Sequence, residues 1–138
     1  MKNSKSIFLK NNIEELELFS NELDEFCKIN LVNSKIFATI NLIADELISN
    51  IIFYSFEDKK EHIISVSIHA DSLFFTMKII SDGKDFDPRN AKPADIESGL
   101  DKREIGGLGI HLVLKMVDFF DYERKNGKST ITIKKKLK

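Results

Sequence analysis

One cysteine, charges that nearly cancel and no unbroken apolar run of membrane length set the first limits on this 138-residue chain. A single thiol, Cys27, closes no internal disulfide, and its place in an apolar-periodic stretch reads as core packing rather than reactivity. That usage suits the cytosol. The formal net charge is −1, from 21 Lys and Arg against 22 Asp and Glu, which removes any global electrostatic case for nucleic acid or an anionic membrane. No stretch approaches the ~18–20 uninterrupted apolar residues of a membrane span, and no apolar signal region follows the polar start, Met1 to Ser4. The expectation is a soluble, uncleaved cytoplasmic protein with no direct nucleic-acid or membrane partner.

Other chemistries lack their residues. His62, His69 and His111 show no ligand spacing with one another or with Cys27, so zinc and redox-metal readings are unsupported. No Ser-His-Asp or Cys-His arrangement carries a local hydrolase signature. Internal repeats and low-complexity tracts are also missing. The basic end, Lys134, Lys135, Lys136 and Lys138, reads as the solvated face of a last strand.

What is present is a 42% hydrophobic content over a length that supports one domain, 1–138, with a core able to fold without staples. Ser6 to Leu9 reads as a short strand. An apolar helical pattern follows at Ile13, Leu16, Phe19, Leu23 and Phe26, with Asn12 as its predicted N-cap and Glu14 and Glu15 complementing the dipole. A second helix starts after Asn33 or Ser34 and runs to about Tyr54 on the stripe Ile36, Ile40, Ile43, Leu47 and Ile51. Ile64, Val66 and Ile68 alternate with Ser65, Ser67 and His69, and Asp71-Ser72 connects this strand to a run from Leu73 to Ile80. Those two make an antiparallel hairpin. Periodicity is lost from Gly83 to Glu104, a length that favours a functional lid. A helix from about Leu108 to Val117, a strand around Phe119 to Arg124, an Asn126-Gly127 turn and a last strand, Ser129 to Leu137, complete the chain. Helices and antiparallel strands are grouped rather than alternating, which indicates an α+β layered sandwich and disfavours a doubly wound parallel sheet.

Three segments carry chemistry. Residues 44–50 read Ala-Asp-Glu-Leu-Ile-Ser-Asn and put Glu46 and Asn50 one helical turn apart on one face, a carboxylate beside an amide oxygen. Such a pair can hold a metal and a water. Residues 81–88 read Ser-Asp-Gly-Lys-Asp-Phe-Asp-Pro, and residues 106–112 read Gly-Gly-Leu-Gly-Ile-His-Leu, a glycine loop running straight into an apolar helix. Backbone N–H groups at that positive dipole end suit a phosphate. Each has a bland alternative: a polar flank of an amphipathic helix, a turn dipeptide, a hinge.

Taken together and in this order, with Thr130 and Thr132 on the closing strand, the segments resemble the nucleotide-binding domain shared by histidine kinases, gyrase-type ATPases, Hsp90 and MutL. The similarity is greatest to the small anti-sigma factor serine/threonine kinases, and residues 103–118 are its most specific part. The resemblance implies a Bergerat-type two-layer sandwich: a mixed, mostly antiparallel sheet with helices on one face and an ATP pocket between the layers, under a lid at about 84–105. It implies ATP and Mg²⁺ as cofactors, with Glu46 activating the attacking hydroxyl or water and Asn50 coordinating the metal. Ser81, Asp82, Gly83 and Phe86 would line the nucleotide site, Gly106, Gly107, Leu108, Gly109 and Ile110 would wrap the phosphates, and Thr130 would help hold the adenine. Its implied partners are a STAS-type anti-sigma factor antagonist, phosphorylated on Ser or Thr, and a sequestered sigma factor or similar regulator. It also admits a homodimer. The alternative is a protein-binding module, nucleotide-gated or nucleotide-independent, without kinase activity.

One position departs from that pattern. The family reads the adenine amino group with an aspartate two residues before the first glycine of the second segment, and that position is Ser81. Asp82 is adjacent, but consecutive strand residues point to opposite faces. A neutral hydroxyl accepts a hydrogen bond roughly half as strongly as an ionised carboxylate.

Overall fold

The computed structural model describes residues 3–90 and 108–138. Strand β1 (Ser4–Lys10) leads into helices α1 (Glu15–Ile29) and α2 (Ser34–Tyr54), then strands β2 (Ile63–Ala70) and β3 (Phe74–Ser81). A single 3₁₀ turn at Pro88–Asn90 follows, and from the next described residue, Leu108, onward come α3 (Leu108–Met116), β4 (Phe119–Lys125) and β5 (Lys128–Lys136). The five strands form one sheet in the order β1-β2-β3-β5-β4. All four ladders are antiparallel, so the expected mixed sheet has no parallel component among the described residues. The α+β sandwich otherwise stands as read.

Alternation decides the faces. On the inner side Ile7 and Leu9 of β1, Ile64, Val66 and Ile68 of β2, Phe75, Met77 and Ile79 of β3, and Ile131 and Ile133 of β5 are buried. Phe19, Leu23, Phe26 and Cys27 of α1 and Ile40, Ile43, Leu47, Ile48 and Ile51 of α2 cover them, with Phe26 meeting Phe75 edge-on at 6.1 Å. Burial pushes the Cys27 thiol up to about 11, Asp24 adding to the effect, as suits a packing residue. By length and composition alone α2 is apolar enough to cross a membrane, against the expectation from the sequence. Here it is the central core helix.

The helix ends show where local reading holds. Asn33 caps α2 by accepting a 2.8 Å hydrogen bond from the Ile36 N–H, which selects the first of the two starts the sequence offers. Asn12 does not cap α1. Its carbonyl instead accepts from the Glu15 N–H, closing a turn before the helix begins, and this leaves Ile13 exposed outside the core stripe. Leu73 likewise falls in the turn before β3, where the Asp71 carboxylate accepts from the Leu73 and Phe74 N–H groups, and is exposed. At the far end of α1, the Val32 N–H reaches the Cys27 carbonyl and the Leu31 N–H the Lys28 carbonyl, a Schellman closure with Leu31 left-handed at φ 58°. The Asn126-Gly127 turn is as predicted, with φ of 53° and 75° at its two central residues.

The basic end is more than a solvated face. Lys135 points inward and donates to the Met116 carbonyl at 2.8 Å, capping the negative end of α3. Lys134 lies over the rings of Phe74 and Phe119 on the outer face.

Candidate nucleotide site

Helix α2 gathers the three segments. Its length and its Asn33 cap set the phase that turns Ile43, Leu47 and Ile51 into the core and carries Glu46 and Asn50 along the edge of that stripe. Glu46 is half-buried, and burial followed by the charge of Asp45 raises its carboxyl above the ordinary glutamate value. One turn on, Asn50 is only 3% exposed, and its Nδ2 has no hydrogen-bond partner among the described residues. A buried amide left unpaired costs stability unless a ligand or water completes it. An N–H donor left open at this edge of α2 fits an acceptor such as a phosphate oxygen, and a hard cation would be held by the oxygen of the same amide.

The third segment meets the first at Gly109, the second residue of α3. A Cβ placed there would overlap the Glu46 carboxylate, so only glycine lets the start of α3 lie against it. The helix is nine residues long in all, and the free N–H groups of its first turn lie at the same edge. Gly106, Gly107 and the 91–105 part of the expected lid lie outside the described residues. Ile110, expected at the phosphates, is fully buried in the core. His111 is partly buried, its Nε2 without a partner among the described residues.

The second segment meets α2 at its other end. Ser55, the C-cap of α2, packs so closely on Gly83 that a Cβ there would lie 2.5 Å from the Ser55 carbonyl oxygen, which also accepts from the Lys84 N–H at 2.8 Å. Phe86 tilts against Tyr54, ring centroids 5.9 Å apart. Ser81 is buried on the inner face. Asp82, one residue past the end of β3, is exposed, and its carboxylate faces His62 Nδ1 at 3.0 Å. His62 Nε2 meets both oxygens of Asp58 at 2.8 and 2.9 Å, and the ring stacks on Phe56 at 4.4 Å. With a carboxylate at each ring nitrogen the imidazolium is the favoured form, and its pKa is raised, first by Asp58 and then, against burial, by Asp82.

Thr130 does not join this group. It pairs with Ile80 and Glu123, and all three sit on the outer face of the sheet. The inner position is its neighbour, Ser129, 6% exposed and directly across from Ser81. Arg124 of β4 lies across from Ser129 in turn, so Ser81, Ser129 and Arg124 form one row where the inner face changes from apolar to polar. Arg124 donates to the Gly83 carbonyl at 2.7 Å and to Ser129 Oγ at 2.8 Å. Tyr122 bonds both Asp85, at 2.5 Å, and Ser129, at 2.9 Å. This network is absent from the sequence reading. The signal for Ser129 was available, because it shares the parity of Ile131 and Ile133.

Residues 9–135 match the model of the histidine kinase-like ATPase domain, nearly the whole chain. The protein belongs to that family. Membership implies ATP as the ligand, and this chain sets a carboxylate and an amide on the central helix, a glycine at the head of the next, and a polar row at the end of the sheet. The serine/threonine-protein kinase BtrW of Bordetella bronchiseptica is 25% identical over 95 residues, which cover 69% of this chain and 67% of that protein.

Proposed function

We propose that this histidine kinase-like ATPase domain transfers the γ-phosphate of ATP to a serine or threonine of a small partner protein and works as an anti-sigma type regulator in the cytosol. The observation that carries the reading is the seating of the Glu46 carboxylate on Gly109, one turn from the unpaired Asn50 amide. A carboxylate with a raised pKa in that position accepts the proton of an attacking hydroxyl as its oxygen bonds to the γ-phosphorus and the bridge to ADP breaks. Asn50 would hold the magnesium ion that the family fold implies, which when bound neutralises phosphate charge. The N–H groups at the head of α3 receive phosphate oxygens. Similarity to a protein named as a serine/threonine kinase supports a protein hydroxyl over water as the acceptor.

The partners follow from the same reading: a STAS-type antagonist as phosphate acceptor, and a sigma factor or comparable regulator held by the ATP-bound form, alone or as a homodimer. Incubation with such an antagonist and γ-labelled ATP is expected to label the antagonist. Glu46→Ala is expected to abolish labelling while ATP with Mg²⁺ still raises the melting temperature. Labelling that persists in this variant removes Glu46 from the chemistry.

Ser81 favours a second reading, a binding module that has lost its dependence on nucleotide. Absence of any thermal shift at millimolar ATP selects it.

A further inference from the structure

We infer that the base subsite of this protein accepts 6-oxo purines as well as 6-amino purines, so that GTP and ITP occupy it with affinities close to that of ATP. The inference rests on the nucleotide reading above and concerns which base that site takes. Its carriers are Ser81 and Ser129, two buried residues directly opposed on β3 and β5, with Arg124 next in the row.

A site that selects adenine needs a group that accepts and cannot donate. An ionised carboxylate is such a group, because it takes the 6-amino hydrogen of adenine and repels the 6-oxo oxygen of guanine. No carboxylate occupies this row. The adjacent one, Asp82, is exposed and held by His62, so it does not substitute. Ser81 presents a hydroxyl, which rotates to accept from an amino group or to donate to a carbonyl.

The second hydroxyl is fixed by its neighbours. Tyr122 has a single proton, and the Asp85 carboxylate can only accept, so that proton lies between Tyr122 Oη and Asp85. Ser129 must then give its own proton to Tyr122 Oη, while it accepts from Arg124. What Ser129 retains is a lone pair. Adenine offers an N–H to it at the 6-amino group, and guanine and hypoxanthine offer one at N1. Neither purine leaves this pair of hydroxyls with two facing donors or two facing acceptors.

Specificity that depends on a hydrogen bond of fixed polarity collapses when the protein partner can reverse its role, since the wrong ligand no longer strands a buried group. The expected result is a ratio of Kd values for GTP and ATP below about tenfold, where a site of fixed polarity discriminates by orders of magnitude.

The test is titration of the full chain with ATP, GTP and ITP, each with Mg²⁺, followed by calorimetry and thermal shift. Ser81→Asp is expected to widen the GTP-to-ATP ratio by at least about tenfold, by adding a fixed acceptor. Should that variant fail to fold, the wild-type ratio alone decides. ATP binding with GTP more than about tenfold weaker overturns the inference and leaves the kinase proposal intact. Binding of none of the three overturns the nucleotide reading itself.

Discussion

Gly109 stands against the Glu46 carboxylate with no room for a Cβ between them. Helix α3 therefore begins where the proposed base sits, and the glycine sets the distance between phosphate-binding N–H groups and carboxylate. Gly109→Ala is expected to fold, because the overlapping atoms belong to the end of a flexible side chain that can swing aside. The displaced carboxylate should lower the rate of phosphate transfer by about a hundredfold, with a much smaller change in ATP affinity. A kcat equal to wild type would separate Glu46 from the reaction.

The raised pKa of Glu46 places the acid limb of phosphate transfer above the range of an ordinary glutamate, since the base must be ionised. Activity is thus lost as pH falls through that raised value. Asp45 is the second cause of the shift, after burial, and Asp45→Asn should move the limb toward lower pH without removing it. A pH–rate profile of the two proteins checks the direction.

His62 makes stability depend on pH in the opposite sense. Its folded pKa is raised above the ordinary histidine value by the carboxylates of Asp58 and Asp82. The contribution is complete below the unfolded pKa and disappears as pH rises through the folded one. Asp58 is lowered, chiefly by its hydrogen bond to His62, so its own share is lost as pH falls through that lowered value. The facing charged groups are Glu57, Asp58, Lys60, Asp82 and Lys84, of which Lys84 pairs with Glu57. Melting temperature should decline from mildly acid to mildly alkaline pH, and His62→Gln should flatten that decline.

Leu31 holds a left-handed conformation, φ 58°, and is 91% exposed, so its side chain contributes almost no packing where its Cβ opposes the backbone. Leu31→Gly is expected to stabilise the protein by about 1 kcal/mol in urea unfolding, by removing that conflict at the Schellman position.

At Gly83 the opposing atoms are the Ser55 carbonyl and Cβ, at 2.5 and 2.7 Å from a built Cβ, and the backbone at a helix end cannot step aside. Gly83→Ala should therefore destabilise by about 1–3 kcal/mol, as overpacking does, and should weaken ATP binding through the displaced Ser81. Chemical denaturation with and without ATP measures both.

The second segment shows how far sequence reading reached and where it stopped. Alternation predicted Ser81 and Asp82 on opposite faces; Ser81 is buried on the inner face, whereas Asp82 lies past the end of β3, exposed and paired with His62. The same rule applied to β5 should have chosen Ser129, yet a family pattern alone pointed to Thr130, one residue out of phase. One residue of slip reverses every side chain of a strand. Asn12 failed for a similar reason, because an asparagine before an apolar pattern signals a turn as readily as a cap, and here its carbonyl closes the turn.

Composition and periodicity determined by themselves the layered α+β class, the run of α2 and the Asn126-Gly127 hairpin, because each depends on interactions within a few residues along the chain. Tertiary structure alone decided that a carboxylate on α2 rests on a glycine of α3, that the Ser81, Ser129 and Arg124 row closes the inner face, and that His62 is clasped between two aspartates. Apart from Asp58 with His62 and Arg124 with Ser129, those relationships join residues far apart in sequence. Strand register and helix packing bring them together, and neither leaves a mark on local spacing.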